Sequence, residues 1–201
     1  MHHHLPAVEP GMTFDNPLIK DRITFLQTAV STGGARTVLR IELAPGGGNE
    51  QHWHQDFDET FMPTEGTLGI QVGDRTLMLQ PGESATAPRR KPHRFFNPST
   101  TNPVTFTVEL HPASPGFERC LAYAYGLAEE GRTTSKGMPK NPADLAVMVH
   151  LGDTFMPGIM GGVMQLMRRW GARLLRRGHC RTRLMRYIAK ARDRRDVALA
   201  A

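Results

Sequence analysis

The chain has 201 residues, 39% of them hydrophobic and 22% charged, a balance that supports a packed core and excludes wholesale disorder. The longest uncharged apolar stretch of the C-terminal half, 155–167, has 13 residues, short of the ~20 that a membrane-spanning helix needs. Cys120 and Cys180 are the only cysteines, too few for a disulfide framework. With no basic-then-apolar leader at the start, they point to a reducing cytoplasm. The net charge of +6 is unevenly placed: residues 168–196 hold twelve Lys or Arg against two acids, a local +10, and the remainder carries −4. Any anionic partner is therefore a partner of the tail.

His2, His3 and His4 read as a tag remnant and are assigned no function. Residues 22–110 read as short strands between turns. Arg22–Val30 carries strand formers and stops at Thr32-Gly33-Gly34, and Thr37–Leu43 alternates with period 2 until Pro45-Gly46-Gly47-Gly48. Thr67–Val72 and Arg75–Leu79 flank the hairpin signal Gly73-Asp74, Pro81-Gly82 is a further turn, and Val104–Leu110 alternates again. Many short strands with Gly/Pro punctuation predict a sandwich or barrel.

The period changes after His111-Pro112. Ser114 caps a helix beginning at Pro115, with Phe117, Cys120, Leu121, Ala124, Tyr125 and Ala128 on one face and Gly131 at its end. A polar linker spans 132–140. Asn141-Pro142 starts a second helix, and a helical pattern resumes near 158 with Ile159, Val163, Leu166, Met167, Trp170 and Leu174 on one side, bordered by Arg168, Arg169, Arg173, Arg176 and Arg177. The predicted organisation is a β-domain over 12–112 followed by a helical extension with a basic tail over 113–201.

The chemistry concentrates in Gln51-His52-Trp53-His54-Gln55-Asp56-Phe57-Asp58-Glu59. On a strand, His52 and His54 share a face and Trp53 takes the other. A reversal at Gln55-Asp56 brings the Glu59 carboxylate back to them, and His93 supplies a third imidazole. Three nitrogens and one carboxylate oxygen suit a divalent transition metal (Fe, Mn, Ni or Zn) and are too nitrogen-rich for calcium or magnesium.

Gly46, His52, His54, Glu59 and Gly66 stand at the spacing of the first cupin motif, and Gly82, Pro88, His93 and Asn97 at that of the second. The sequence therefore resembles the cupin family over about residues 35–110. The departure is Arg90, where the family usually has glycine. The resemblance implies a mainly β cupin (double-stranded β-helix, or jelly-roll) barrel followed by C-terminal α-helices. It also implies a mononuclear metal held by His52, His54, Glu59 and His93, often in a homodimer. Cupins include dioxygenases, isomerases, lyases, decarboxylases and non-catalytic binders, so the fold alone does not name the reaction.

Strand alternation sets Phe61 beside Glu59 and Phe95 beside His93, so both rings are candidate substrate contacts. Glu59 is the candidate general base. The resulting expectation is a metalloenzyme of dioxygenase type acting on a small organic molecule, with a metal-dependent isomerase or lyase and a non-catalytic ligand-binding cupin as alternatives. Arg89-Arg90-Lys91 reads as a solvated loop, with attraction of an anionic substrate as its functional reading, and Glu109 and His111 as groups behind the metal site is a reading the spacing leaves open. The basic tail packs on the barrel or on a second copy, or lies on an anionic membrane as a peripheral helix. Nucleic acid is disfavoured because no base-reading or base-stacking motif accompanies the charge.

Overall fold

The computed structural model describes residues 5–200, so His2–His4 lie outside the described residues. Ten strands come first: β1 (Thr13–Asn16), β2 (Asp21–Gln27), β3 (Thr37–Leu43), β4 (Trp53–His54), β5 (Asp58–Glu65), β6 (Leu68–Val72), β7 (Arg75–Leu79), β8 (Ala85–Ala87), β9 (His93–Phe96) and β10 (Val104–His111). Helices α1 (Pro115–Glu129) and α2 (Pro142–Gly152), the short strand β11 (Thr154–Phe155), and helices α3 (Ile159–Arg176) and α4 (Arg181–Ala200) follow. The mainly β barrel followed by C-terminal helices is the architecture the sequence predicts.

A six-stranded sheet runs β1-β2-β3-β10-β5-β8 and faces a three-stranded sheet β7-β6-β9. Period 2 explains the core. Leu39, Ile41 and Leu43 on β3 and Val104, Phe106, Val108 and Leu110 on β10 all point inward, each side chain contributing roughly 2 kcal/mol as an upper bound. The strand predicted over Arg22–Val30 ends at Gln27, because Thr28 starts a turn in which its carbonyl accepts from Thr32 N at 3.0 Å. The hairpin at Gly73-Asp74 forms as predicted, pairing Val72 with Arg75.

Both predicted helix starts are capped by side chains. Ser114 Oγ accepts from Phe117 N at 3.2 Å, and Asn141 Oδ1 accepts from Ala143 N at 2.8 Å. The tail is two helices and not one: Gly178 (φ 80°) and Cys180 (φ 67°) take left-handed backbone and break it. On α4, Leu184, Tyr187, Ile188 and Ala191 are buried at i, i+3, i+4 and i+7 spacing. One hydrophobic core runs from the barrel strands through α1 to this face of α4.

Candidate metal centre

Extended backbone at 52–54 places the rings of His52 and His54 on one side, 4.8 Å apart between centroids, while Trp53 turns away to stack on Phe155 at 4.6 Å. A bend at Gln55–Asp56 then reverses the chain into β5, where Glu59, Phe61 and Pro63 face inward. His93 opens β9 beside His52. The two residues exchange backbone hydrogen bonds, His52 N to His93 O at 2.9 Å and His93 N to His52 O at 2.7 Å. One donor atom from each of His52, His54, Glu59 and His93 lies within 4.8 Å of the others. Residues far apart in the chain thus converge as the sequence predicts.

Each imidazole is oriented through its Nδ1. That atom lies 2.9 Å from the Glu50 carbonyl in His52, 2.9 Å from the Lys91 carbonyl in His93, and 3.3 Å from the Asp153 carbonyl in His54. Nδ1 is then the donor, the Nε2 lone pairs of His52 and His54 point into the site, and His93 Nε2 is aimed at the Glu59 carboxylate. His54 Nε2 is buried with no hydrogen-bond partner among the described residues, a cost that a metal bond removes. Glu59 Oε2 sits 2.8 Å from His93 Nε2 and 3.6 Å from His54 Nε2.

The electrostatics match this donor set. Burial, aided by the neighbouring imidazoles, pushes His52 down to about 4 and His54 down to about 3. Burial alone would raise Glu59, but the charges of His54, His93 and His52 and the hydrogen bond from His93 outweigh it and hold the carboxyl at about 2. Burial pulls His93 down as well, and its bond to the Glu59 carboxylate reverses the sign and raises it. Three converging nitrogens and an ionised carboxylate fit a divalent transition metal.

Sequence reasoning missed the support from the helical half. β11 pairs with β4, setting Thr154 opposite His54 and Phe155 opposite Trp53. Asp153 Oδ2 accepts from Gln55 N and Asp56 N, both at 2.8 Å, fixing the bend between the ligands. Arg168 on α3 reaches Asp153 Oδ1 at 3.4 Å. Phe57 stacks on the His54 ring at 4.3 Å, and Phe117 of α1 meets the same ring edge-on at 5.1 Å. Asp153 ends α2 with left-handed backbone (φ 49°), and nothing in its local sequence announces a partner 98 residues away.

The motif positions that bind no metal have structural work. Gly46 (φ 65°) and Gly66 (φ 77°) take backbone that suits glycine. Asn97 Nδ2 donates to the carbonyls of Leu43, Ala44 and Asn102, pinning the loop to the barrel wall. Arg90, the departure from the motif, still adopts φ 62°, a conformation costing a side chain roughly 1 kcal/mol. Its N–H donates to the His54 carbonyl at 2.6 Å. Arg89, Arg90 and Lys91 stay at the surface, with Arg89 3.4 Å from Asp58. Glu109 pairs with Arg36 at 3.3 Å and His111 is exposed, so neither stands behind the metal site.

A cavity of about 670 Å³ opens from His52 and Glu59. Phe61 and Phe95 line it within the barrel, and Phe117, Leu121, Met148 and Met164 line it from the helices. The helical half therefore forms part of the cavity wall, which is mostly apolar, with Arg94 and Lys136 among its few charged residues.

Residues 39–109 match the family model described as the cupin domain. Germin-like protein 3-1 of Oryza sativa subsp. japonica is 30% identical over 102 residues, 46% of this chain. The chain spans 45% of that relative's length. Among solved structures, a sugar phosphate isomerase of Silicibacter pomeroyi is 24% identical with a TM-score of 0.43, over 53% of this chain and 73% of that one. A protein described as a predicted oxalate decarboxylase from Thermotoga maritima is 15% identical with a TM-score of 0.46, over 53% of this chain and 99% of that one.

Proposed function

The chain belongs to the cupin superfamily through residues 39–109, and on that premise we propose that it is a mononuclear metalloenzyme of oxygenase type acting on a small, largely apolar organic substrate inside the barrel. The observation that carries this reading is the unpartnered Nε2 of His54 in a His3–Glu cluster that opens onto an apolar cavity of about 670 Å³. His52, His54, Glu59 and His93 hold the metal. Bound there, iron, manganese or nickel supplies redox chemistry with dioxygen and zinc supplies a Lewis acid.

The chain's own residues bind, orient and exclude water. Phe61 and Phe95 lie 6.2 Å apart between ring centroids and flank the cavity floor beside His93, holding a flat substrate against the cluster. Met148 and Met164 adapt to its far end, since thioether side chains are polarizable and flexible. Glu59 lines the cavity and doubles as the general base where its bond to the metal is weak.

Elemental analysis of protein purified without a polyhistidine segment tests the metal: a bound divalent transition metal is expected, lost in His54→Ala. Its absence from the wild type overturns the reading. Oxygen consumption by the iron-loaded protein with a panel of small aromatic compounds tests the reaction class, and turnover that proceeds equally under argon assigns an isomerase or lyase instead. Glu59→Gln abolishes turnover and keeps most of the metal if Glu59 is the base. Equal loss of both leaves it as a ligand only.

A further inference from the structure

We propose that α3 docks this protein on an anionic membrane surface, lying in the plane of the headgroups. Ile159, Val163, Leu166 and Trp170 follow one another at steps of four, three and four residues, which places them on a single line along the helix. All four are solvent-exposed, Ile159 at 92%, Leu166 at 68% and Trp170 at 40%. The opposite side holds α3 to the rest of the molecule through Gly161, Met164 and Gly171, where a Cβ at Gly171 would lie 2.0 Å from the Ala146 carbonyl of α2. The apolar line therefore faces away from the body of the protein.

Charge identifies what it faces. α3 contains no acidic residue. Arg169, Arg173, Arg176 and Arg177 are exposed beside or at the end of the apolar line, and none forms an ion pair among the described residues. The basic residues of α4 are placed differently. Arg183 meets Asp144, Arg186 meets Glu130, Lys190 and Arg194 meet Glu129, and Arg192 and Arg195 meet Glu9. Uncompensated arginines around exposed aliphatic side chains and a tryptophan complement a surface that is apolar within and negative at its rim. A second copy presenting its own α3 would bring arginine against arginine, with no α3 carboxylate between them. A nucleic acid backbone would leave Ile159 and Leu166 without a partner. No helix among the described residues is long and apolar enough to cross a membrane, so the contact is interfacial.

Co-sedimentation of the full chain with vesicles tests this. Binding is expected to an equimolar mixture of phosphatidylcholine and phosphatidylglycerol, not to phosphatidylcholine alone, and to weaken as salt rises. Arg169→Glu with Arg173→Glu lowers the partition constant at least thirtyfold, taking roughly 1 kcal/mol per cation near the surface. Leu166→Glu lowers it comparably, and circular dichroism and metal content stay unchanged because these side chains face solvent. Equal binding to both vesicle types, or wild-type binding by the variants, overturns the proposal. So does a dimer in sedimentation velocity that Leu166→Glu dissolves, or binding to duplex DNA by a chain that ignores the mixed vesicles.

Discussion

The barrel and its seam with the helices are held by different means. Inside the barrel, Leu39, Ile41, Phe106 and Val108 are buried by strand alternation, with apolar neighbours on every side. At the seam the apolar core continues into α1, and buried carboxyls add directional crossings. Asp21 accepts from Tyr125 Oη at 2.6 Å, Glu118 accepts from Ala29 N and Thr37 Oγ1, both at 2.6 Å, and Asp153 holds the bend at Gln55–Asp56. Apolar packing is non-directional and tolerates repacking, whereas a buried acceptor is satisfied in one orientation only. The difference teaches that the barrel supplies the candidate metal-binding cluster and the carboxyls of the seam help fix where the helices stand over it.

The largest effect expected at the seam is a pH dependence of stability. Burial raises Asp21 to about 7 from 3.8, against the lowering effect of the Tyr125 hydrogen bond. An acid raised on folding is protonated in both states at low pH, so folding carries no penalty there. As pH rises, the unfolded chain ionises first and stability falls until the folded carboxyl ionises too, a loss approaching roughly 4 kcal/mol. Asp21→Asn flattens this decline, so urea titrations between about pH 4 and pH 7 separate variant from wild type. Parallel declines would place the penalty elsewhere.

Glu118→Ala comes next. It leaves two buried donors without an acceptor and lowers stability by roughly 3 kcal/mol, read from the denaturant midpoint. A loss under about 1 kcal/mol would mean that α1 is held by packing alone. Asp153→Ala frees the bend between His54 and Glu59 and weakens nickel binding by roughly ten- to a hundredfold in calorimetric titration. Asp153→Asn, which keeps an oxygen acceptor, stays near the wild type. If Asn fails as Ala does, the negative charge facing Arg168 matters more than the hydrogen bonds to the bend. The smallest effect belongs to the barrel interior: Leu39→Met changes stability by less than about 1.5 kcal/mol.

Much of the barrel is legible in the sequence because its determinants are local. Period 2 marks Thr37–Leu43 and Val104–Leu110, Gly73-Asp74 marks a hairpin, and the four ligands stand at recognisable spacings around the motif glycines. The helix starts are equally local, since Ser114 and Asn141 cap the turns they precede. What stays hidden are contacts between residues about a hundred apart. β11 is two residues long, too short for any period, and Asp153 resembles an ordinary helix end. The tail's charge is evident from composition, but its division is not. Neutralisation of α4 depends on Glu9, Glu129 and Glu130, which only the fold brings near.

The pairing of β4 with β11 bears on the order of synthesis. A nascent chain presents both histidine motifs once Asn97 has emerged, yet the carbonyl that orients His54 and the carboxylate that fixes the bend both come from Asp153. Alignment of the candidate ligand cluster is therefore completed only once Asp153 has been added, well after the last barrel strand. A fragment ending at the last barrel strand retains all four ligands without the clasp that aligns one of them.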